Sequence, residues 1–304
     1  MLGATGFIGS WATRALVADG HEVRAIVRPE SDTWRIDPIA ALTTERVDAA
    51  AWPEAIAANP PETLLSLDWE GVSANERDVD SVQQRNIGRQ SALYSAALGA
   101  GTRRIVGTGS QAEFGPVDGP IDDDREASPT TAYGRAKTAA HAALAEATAA
   151  SNVQHVWARV FSVFGPLETG EWLLPKITRA ATSGEPFAMS SATQPWSYLF
   201  APDAGRALAL LATHPRAQDA VNVGHPEAPP LRPFVERFAA AINAQLRFGE
   251  TVRPGIEPRV SRLSALGWEP LWTSREAIAM TAAWFRGDGV ADPFSVGVTL
   301  PLQR

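Results

Sequence analysis

A tyrosine and a lysine four residues apart, Tyr133 and Lys137, form the pair with the clearest chemical potential in this sequence. On a helix, two residues at this spacing lie on the same face. A tyrosine hydroxyl ordinarily titrates near pH ~10, and a neighbouring ammonium favours the phenolate and lowers that pKa. The pair therefore predicts a phenol that exchanges a proton near neutral pH, although an ordinary surface pair would look the same.

Two further polar residues fit a site for proton transfer. Ser110 follows a predicted strand at 104–107, and binding sites in open parallel sheets form at the carboxyl ends of strands. Its hydroxyl could therefore bind the same carbonyl or alkoxide oxygen as the tyrosine. Asn86 lies on a predicted helix at 80–100 and could hold a water in a proton relay. We accordingly predict Ser110, Tyr133, Lys137 and Asn86 as catalytic residues, with Lys137 also binding cofactor ribose.

The elements that must position these residues begin with three glycines at a three-residue step, Gly3, Gly6 and Gly9. In a dinucleotide-binding turn the first glycine allows a tight strand-to-helix turn, the second lets the backbone approach a pyrophosphate, and the third brings the helix close to the sheet. The following helix, predicted at 10–19, offers free N–H groups to phosphate. Only Met1 and Leu2 precede the turn, whereas a buried strand of about five residues is expected there, so either the sequence lacks residues ahead of Met1 or the first strand is shortened.

The residue at the end of the second predicted strand, 21–27, bears on the choice of cofactor. An acidic residue there would bind a ribose 2′-hydroxyl, whereas an arginine suits a 2′-phosphate. Arg28 therefore favours NADP(H) over NAD(H), although NAD(H) stays possible because Arg28 could be a solvated basic residue. The predicted cofactor-binding residues are Gly3, Thr5, Gly6, Phe7, Ile8, Gly9, Arg28, Ser31, Asp48, Leu67 and Lys137.

Strand and helix patterns alternate through the first half of the chain. Predicted strands at 46–48, 63–67, 104–107 and 154–160 are interleaved with helices at 80–100 and 130–150, which indicates an α/β fold with a Rossmann-type, doubly wound parallel sheet. The second half is mostly helical, with helices at 171–184, 201–213, 231–245 and 274–285 and a short strand at 221–223. We predict a dinucleotide-binding domain at 1–163, with returning segments at about 195–224, and a smaller substrate-binding region at 164–194 and 225–304.

Composition excludes several classes of function. The net charge of −7 argues against non-specific nucleic-acid binding, and no apolar run of 18 residues exists that would span a membrane. The chain contains no cysteine, which excludes disulfides and thiol catalysis and fits a reducing cytoplasm. We expect no signal peptide ahead of the glycine turn, and no metal site because the five histidines are scattered.

Several motifs together resemble the extended short-chain dehydrogenase/reductase family, specifically its nucleotide-sugar epimerase, dehydratase and reductase branch. They cover nearly the whole chain and are Gly3-Ala4-Thr5-Gly6-Phe7-Ile8-Gly9, Gly109-Ser110 with Phe114-Gly115, Tyr133 to Lys137, Arg159-Val160-Phe161-Ser162-Val163-Phe164-Gly165-Pro166 and Leu266-Gly267-Trp268-Glu269-Pro270. The resemblance implies that Tyr133 is the general acid/base, that Lys137 tunes it and holds the nicotinamide ribose, and that Ser110 positions the reacting oxygen.

Departures from the family pattern reduce the number of activities that fit this sequence. The dehydratases carry an Asp-Glu pair directly after the serine position, where this chain has Gln111-Ala112, and this argues against a 4,6-dehydratase. Trp196 stands where an arginine usually meets the substrate phosphates, Ser162 replaces an asparagine that often contacts diphosphate, and Asp68 replaces a small apolar residue beside the cofactor. The predicted substrate-binding residues are Gln111, Ser162, Trp172, Leu174, Trp196 and Arg253.

The resemblance and its departures leave several functions open. We expect an NADP(H)-dependent ketoreductase of a nucleotide-linked 4-keto-deoxysugar, with Tyr133 as general acid. The alternatives are an NAD-dependent nucleotide-sugar 4-epimerase, a reductase of another small carbonyl compound, and a non-catalytic redox sensor. The family also suggests a homodimer formed through the helices that carry Asn86 and Tyr133.

Overall fold

A computed structural model describes residues 1–73, 75–117 and 119–302. In chain order its strands are β1 (Val23–Val27), β2 (Leu42–Arg46), β3 (Thr63–Ser66), β4 (Arg104–Ser110), β5 (Pro120–Ile121), β6 (Gln154–Val160), β7 (Val163–Phe164), β8 (Phe187–Met189), β9 (Leu199–Phe200), β10 (Asp219–Val223), β11 (Leu246–Phe248) and β12 (Glu257–Pro258). The helices are α1 (Phe7–Ala18), α2 (Trp52–Ala58), α3 (Asp80–Gly99), α4 (Ala132–Thr148), α5 (Leu173–Ser183), α6 (Ala201–Thr213), α7 (Leu231–Ala241), α8 (Ser261–Ala265) and α9 (Ser274–Phe285).

The central sheet is parallel and doubly wound, as the alternation of patterns predicts. β10, β6, β4 and β3 form one run of parallel strands, and β1 pairs with β2 in another. Leu2 joins the two runs, because it bridges Ile26 of β1 on one side and Ser66 of β3 on the other. Leu2 therefore occupies the position of a strand between β1 and β3.

Successive strand residues point to opposite faces of the sheet, and each face has its own helices. Val106 and Val156 pack with residues of α1 and α6 on one face. Their neighbours Ile105 and Trp157 pack with residues of α2, α3 and α4 on the other face. The carboxyl ends of β3, β4 and β6 thus share one edge between two helical layers, and that edge carries Ser110.

Several elements differ from the sequence predictions. The third strand is Leu42–Arg46 rather than 46–48, because β2 is an edge strand with mostly exposed side chains and lacks an apolar run. The helix predicted at 231–245 ends at Ala241, and Asn243 adopts a left-handed φ of 57° that cannot continue a helix. The fold also contains α2, which the sequence analysis did not predict.

The remaining helices gather beside the sheet edge. α5, α7 and α9 enclose a separate apolar cluster, while β10 returns to the main sheet next to β6. A buried salt bridge, in which Arg14 Nε lies 2.7 Å from Asp292 Oδ2, ties the end of the chain to α1. Within the described ranges, no helix is long and apolar enough to cross a membrane, and no cluster of three or more His, Cys, Asp or Glu residues is arranged to hold a metal.

Candidate active site

The glycine turn leaves no room for larger side chains. Gly3 has a φ of +76°, and a Cβ atom built on it would lie 2.6 Å from the backbone carbon of Leu67. A Cβ atom on Gly9 would lie 1.9 Å from the Gly3 oxygen. Gly6 directly precedes α1, so the half-buried Phe7 and Ile8 open the helix with free N–H groups. The turn therefore fits the pyrophosphate of a dinucleotide.

The adenosine end of this groove carries two arginines. Arg28 lies just beyond β1, half exposed, with its Nε 3.3 Å from Glu30 and an N–H nitrogen 3.8 Å from Glu70. The sequence analysis missed Arg46, whose guanidinium donates to the backbone oxygens of Pro29 at 2.7 Å and Ser31 at 3.1 Å. Arg46 thereby shapes the 28–31 loop, while the exposed Asp48 begins a short 3-10 helix beyond β2.

A third arginine ties the glycine turn to the second half of the chain. Arg35 donates to Thr5 O at 3.3 Å, to Leu167 O at 3.0 Å and to Thr169 Oγ1 at 2.6 Å. Burial lowers the pKa of Arg35 to about 10, which keeps it charged at neutral pH. Sequence reasoning had no signal for this contact, since it joins residues more than 130 positions apart.

Ser110 is held from below by a buried acid. Glu113, fully buried, accepts hydrogen bonds from Ser110 N at 2.8 Å and from Trp157 Nε1 at 3.0 Å. Its other oxygen accepts from Arg159 Nε at 3.1 Å. We call Ser110, Glu113, Trp157 and Arg159 the floor cluster. Because every polar group named here is paired, this cluster fixes the end of β4 rigidly.

Tyr133 and Lys137 meet Ser110 at the first turns of α4. A hydrogen bond with Ser110 favours the phenolate of Tyr133, and the Lys137 nitrogen lies 5.7 Å from the centre of the Tyr133 ring. Lys137 Nζ donates to Thr108 O at 2.8 Å, and burial lowers the pKa of Lys137 to about 7. The structure therefore brings three of the four predicted catalytic residues together.

The pKa of Tyr133 differs from the sequence prediction. Burial raises the pKa of Tyr133 above its ordinary value, and the cation that opposes this rise is Arg77 rather than Lys137. The Arg77 guanidinium carbon lies 4.7 Å from the centre of the Tyr133 ring. The expectation of a lowered tyrosine pKa is wrong, because burial of the phenol outweighs the groups that favour the phenolate.

Residues 67–73 and 75–79, here called the roof segment, cover Tyr133 and Lys137. The rings of Trp69 and Tyr133 meet edge-on, with their centres 6.1 Å apart. The Lys137 nitrogen lies 3.6 Å from the centre of the Trp69 ring. Gly3 packs against the start of this segment at Leu67, and so the glycine turn and the Tyr133 site are neighbours. The sequence analysis missed Trp69 because only the folded chain brings it to α4.

Asn86 supports the roof segment. Among the described residues it makes no hydrogen bond to Ser110 or Tyr133. Its Nδ2 donates to Glu70 O at 2.9 Å, and its Oδ1 accepts from Glu70 N at 3.0 Å and from Arg89 at 2.7 Å. Both ends of the buried amide are thus used within the protein. This geometry favours a positioning role for Asn86 over the predicted water relay.

The predicted substrate residues are divided between the site and the core. Ser162 Oγ lies 3.4 Å from Gln111 Oε1, directly beyond Ser110. Trp172 is 46% exposed at the start of α5, and Arg253 is exposed. Leu174, in contrast, is fully buried in the apolar cluster of α5, so its side chain cannot contact a substrate. The helical spacing of α5 turns the Leu174 side chain inward, which the sequence analysis did not predict.

The sequence analysis also missed a buried acid shortly after β7. Glu168 is 4% exposed, and its Oε2 has no hydrogen-bond partner among the described residues. Burial raises the pKa of Glu168 to about 8. Burial also raises the pKa of Tyr198, and the Glu168 carboxylate raises it further. The ring centre of Trp196 lies 6.3 Å from that of Tyr198. The indole nitrogen of Trp196 is also buried and has no hydrogen-bond partner among the described residues.

The doubly wound sheet, the glycine turn and the Ser-Tyr-Lys group define an NAD(P)-dependent enzyme of the short-chain dehydrogenase/reductase class. The chain belongs to the NAD dependent epimerase/dehydratase family, whose model matches residues 1–224. Both the α/β fold and the family expected from the sequence motifs are confirmed.

Several known proteins are similar to this chain at modest sequence identity. A dTDP-6-deoxy-L-talose 4-dehydrogenase (NAD(P)(+)) of Kitasatospora kifunensis is 27% identical over 297 residues, covering 91% of this chain and 92% of the relative. A 2′-dehydrokanamycin reductase of Streptomyces kanamyceticus is 26% identical over 250 residues, covering 79% of this chain and 65% of the relative. The solved UDP-glucose 4-epimerase of Thermotoga maritima, with UDP-glucose, superposes with a TM-score of 0.84 at 18% identity, covering 94% of this chain and 97% of that one.

Proposed function

We propose that the protein is an NADP(H)-dependent ketoreductase that acts on a nucleotide-linked 4-keto-deoxysugar. The observation that carries this proposal is the meeting of Ser110, Tyr133 and Lys137 beside the glycine turn. The presence of Gln111-Ala112, where dehydratases of the family carry two acids, supports reduction over elimination. The talose 4-dehydrogenase relative, which matches over most of both chains, supports a 4-position sugar carbonyl.

The side chains divide the reaction among themselves. A bound nicotinamide would supply the hydride to the carbonyl carbon. Tyr133 donates its phenolic proton to the carbonyl oxygen, while the Ser110 hydroxyl hydrogen-bonds that oxygen and holds it in place. Lys137 binds the cofactor ribose, and Trp69 above it keeps water away from the reacting groups.

The proposed preference for NADP(H) rests on Arg28 and on the loop that Arg46 shapes. Two guanidinium groups at the end of β1 and β2 supply positive charge for a 2′-phosphate. The ion pairs of Arg28 with Glu30 and Glu70 are largely exposed, and such pairs contribute little, so the phosphate can displace them.

The test is consumption of NADPH and NADH with dTDP-4-keto-6-deoxyglucose and a panel of other keto sugars. We expect turnover with NADPH to exceed turnover with NADH, and Arg28→Ala to reduce that preference about tenfold, in line with the loss of one phosphate contact. Arg216→Ala, at an exposed turn, is the matched control. Failure to consume either cofactor across the panel would contradict the proposal.

One observation favours a second function. Glu70 lies 3.8 Å from Arg28, and an acid near this position would suit the free ribose of NAD. An NAD-dependent 4-epimerase would use the same Tyr133 and Ser110 on one carbon with no net redox change. Mass spectrometry of the purified protein distinguishes the two, since co-purifying NAD would favour the epimerase.

Two further points extend the proposal. Trp196 in place of an arginine leaves a reductase of another small carbonyl compound as a possible variant, which the same substrate panel would reveal.

We also propose a homodimer formed through the exposed faces of α3 and α4. Light scattering after gel filtration should give twice the mass of one chain.

A further inference from the structure

The glycine turn carries no positively charged side chain of its own. Residues 3–9 contain no lysine or arginine, so the turn offers an anion only backbone N–H groups and the amino end of α1. That end supplies about half a positive charge, whereas the pyrophosphate of a dinucleotide is doubly negative. A cation brought to the turn by another part of the chain would therefore strengthen cofactor binding.

Arg35 is a cation that contacts this turn. Its Nη1 donates to Thr5 O at 3.3 Å, one residue before the glycine that precedes α1. The same guanidinium donates from Nε to Leu167 O at 3.0 Å and from Nη2 to Thr169 Oγ1 at 2.6 Å. Leu167 and Thr169 follow β7, so Arg35 bridges the glycine turn and the start of the predicted substrate region.

The charge of Arg35 is not cancelled by a paired acid. Its three acceptors are two backbone carbonyls and a hydroxyl, all of them neutral. The acid that acts on its charge is Asp32, which is exposed and forms no salt bridge with it in the described part of the chain. Arg14 and Arg89, in contrast, each have a carboxylate oxygen at 2.7 Å. The guanidinium of Arg35 therefore keeps its charge for an anion at the turn.

Hydrogen-bonding capacity also remains on Arg35. A guanidinium has five N–H groups, and the three contacts use one hydrogen each from Nε, Nη1 and Nη2. The other two N–H groups, one on each Nη atom, have no acceptor among the described residues. Because Arg35 is only half-buried, a phosphate oxygen can accept from them.

Packing holds the guanidinium in place before any ligand binds. Its Cζ atom lies 4.4 Å from the centre of the Trp34 ring. Trp34 in turn stacks on Trp284 of α9, with ring centres 6.5 Å apart and an angle of 12° between the rings. A side chain that is already ordered loses little conformational entropy when it binds a ligand. Arg35 is thus fixed beside the turn by its own protein contacts.

We propose that Arg35 is a cofactor-binding residue whose guanidinium supplies positive charge to the pyrophosphate at the glycine turn. The inference rests on the cofactor class and on the fit of the turn to a pyrophosphate, and not on the proposed sugar substrate. It applies to NAD and to NADP, because both contain the pyrophosphate. Arg28 and Arg46 keep their separate part at the 2′-phosphate.

The measurement is the calorimetric Kd of NADH, which lacks the 2′-phosphate and so does not report on that part. We expect Arg35→Met to raise this Kd about tenfold, the effect of one lost charge-assisted contact. Arg216→Met, at an exposed turn, is the matched control for a lost arginine and should bind NADH like wild type.

Three further variants separate the charge of Arg35 from the hydrogen bonds that it makes. Arg35→Lys keeps the charge but not the planar fork, and should bind NADH within about threefold of wild type. Arg35→Gln keeps N–H donors without the charge and should resemble Arg35→Met. Thr169→Val removes only the contact at 2.6 Å and should change the Kd by less than about twofold.

An unchanged Kd in Arg35→Met would overturn the inference. So would equal losses in Arg35→Lys and Arg35→Met, or in Thr169→Val and Arg35→Met, since Arg35 would then act only by holding residues 167–169. Thermal unfolding shows that each variant is folded, and Arg35→Gln replaces Arg35→Met in the comparison if the methionine variant is not. The titration needs no turnover, so a protein that binds NADH and reduces no keto sugar would contradict the proposed function while the Kd series still decides the role of Arg35.

Discussion

The floor cluster and the roof segment hold the same catalytic side chains by opposite means. In the floor, Glu113 is buried and its carboxylate is used up by Ser110, Trp157 and Arg159. In the roof, side chains of α3 such as Asn86 bind backbone groups of Glu70. The comparison indicates that the floor is held by a buried charged pair, whereas the roof is held by hydrogen bonds between side chains of α3 and the backbone.

Replacing Glu113 should break the floor and have the largest effect on stability. Glu113→Gln leaves the Arg159 guanidinium buried without its counter-charge and turns an amide N–H toward other donors. We expect the free energy of unfolding to fall by about 3 kcal/mol, as for other broken buried pairs. Urea denaturation measures this loss.

The control for that change is Glu126→Gln, at an exposed position of the loop before α4. It should leave the midpoint of unfolding unchanged. If Glu113→Gln unfolds at the same urea concentration as wild type, the floor is not the rigid support described here.

Removing the amide of Asn86 should loosen the roof without unfolding the floor. Asn86→Leu leaves both backbone groups of Glu70 without their partner, and we expect a loss of about 1–2 kcal/mol in unfolding free energy together with a higher cofactor KM. Gln84→Leu, exposed on the same helix, is the control. A lower kcat with unchanged stability and KM would instead favour the predicted water relay.

The buried Lys137 should make stability depend on pH, with a modest change over each pH unit. Its folded pKa of about 7 lies below the ordinary lysine value of 10.5, so the unfolded chain binds the extra proton between these two values. Unfolding free energy should therefore rise from pH 7 to 10.5, by at most about 1.4 kcal/mol per pH unit from this group.

Lys137→Met should abolish that slope, whereas Lys176→Met, at a half-exposed lysine, should leave it intact. Thermal or urea unfolding across this pH range provides the measurement. A slope that persists in Lys137→Met would mean that another group titrates there.

Local rules explain what could be predicted from the sequence. The glycine step, the alternation of strands and helices, and the i, i+4 spacing of Tyr133 and Lys137 each depend on neighbours in the chain. They sufficed for the Rossmann-type sheet and for the meeting of Ser110 with the Tyr-Lys pair. The predicted domain boundaries and residue roles stay predictions.

The rest of the site depends on contacts between distant parts of the chain. Arg77 and Trp69 acquire their roles only because the roof segment folds over α4, and no spacing in the sequence indicates that contact. The sign of the tyrosine pKa shift was missed for the same reason, since burial is set by tertiary packing. β2 escaped prediction because an exposed edge strand carries little apolar pattern.

The central claim is that Tyr133 donates the proton in a reduction carried out beside the glycine turn. The most direct test compares wild type with Tyr133→Phe, in kcat for NADPH-dependent reduction of the keto sugar and in calorimetric Kd for NADPH. The account predicts that kcat falls by about 10³-fold while the Kd changes less than about twofold. Near-wild-type turnover by Tyr133→Phe would contradict it.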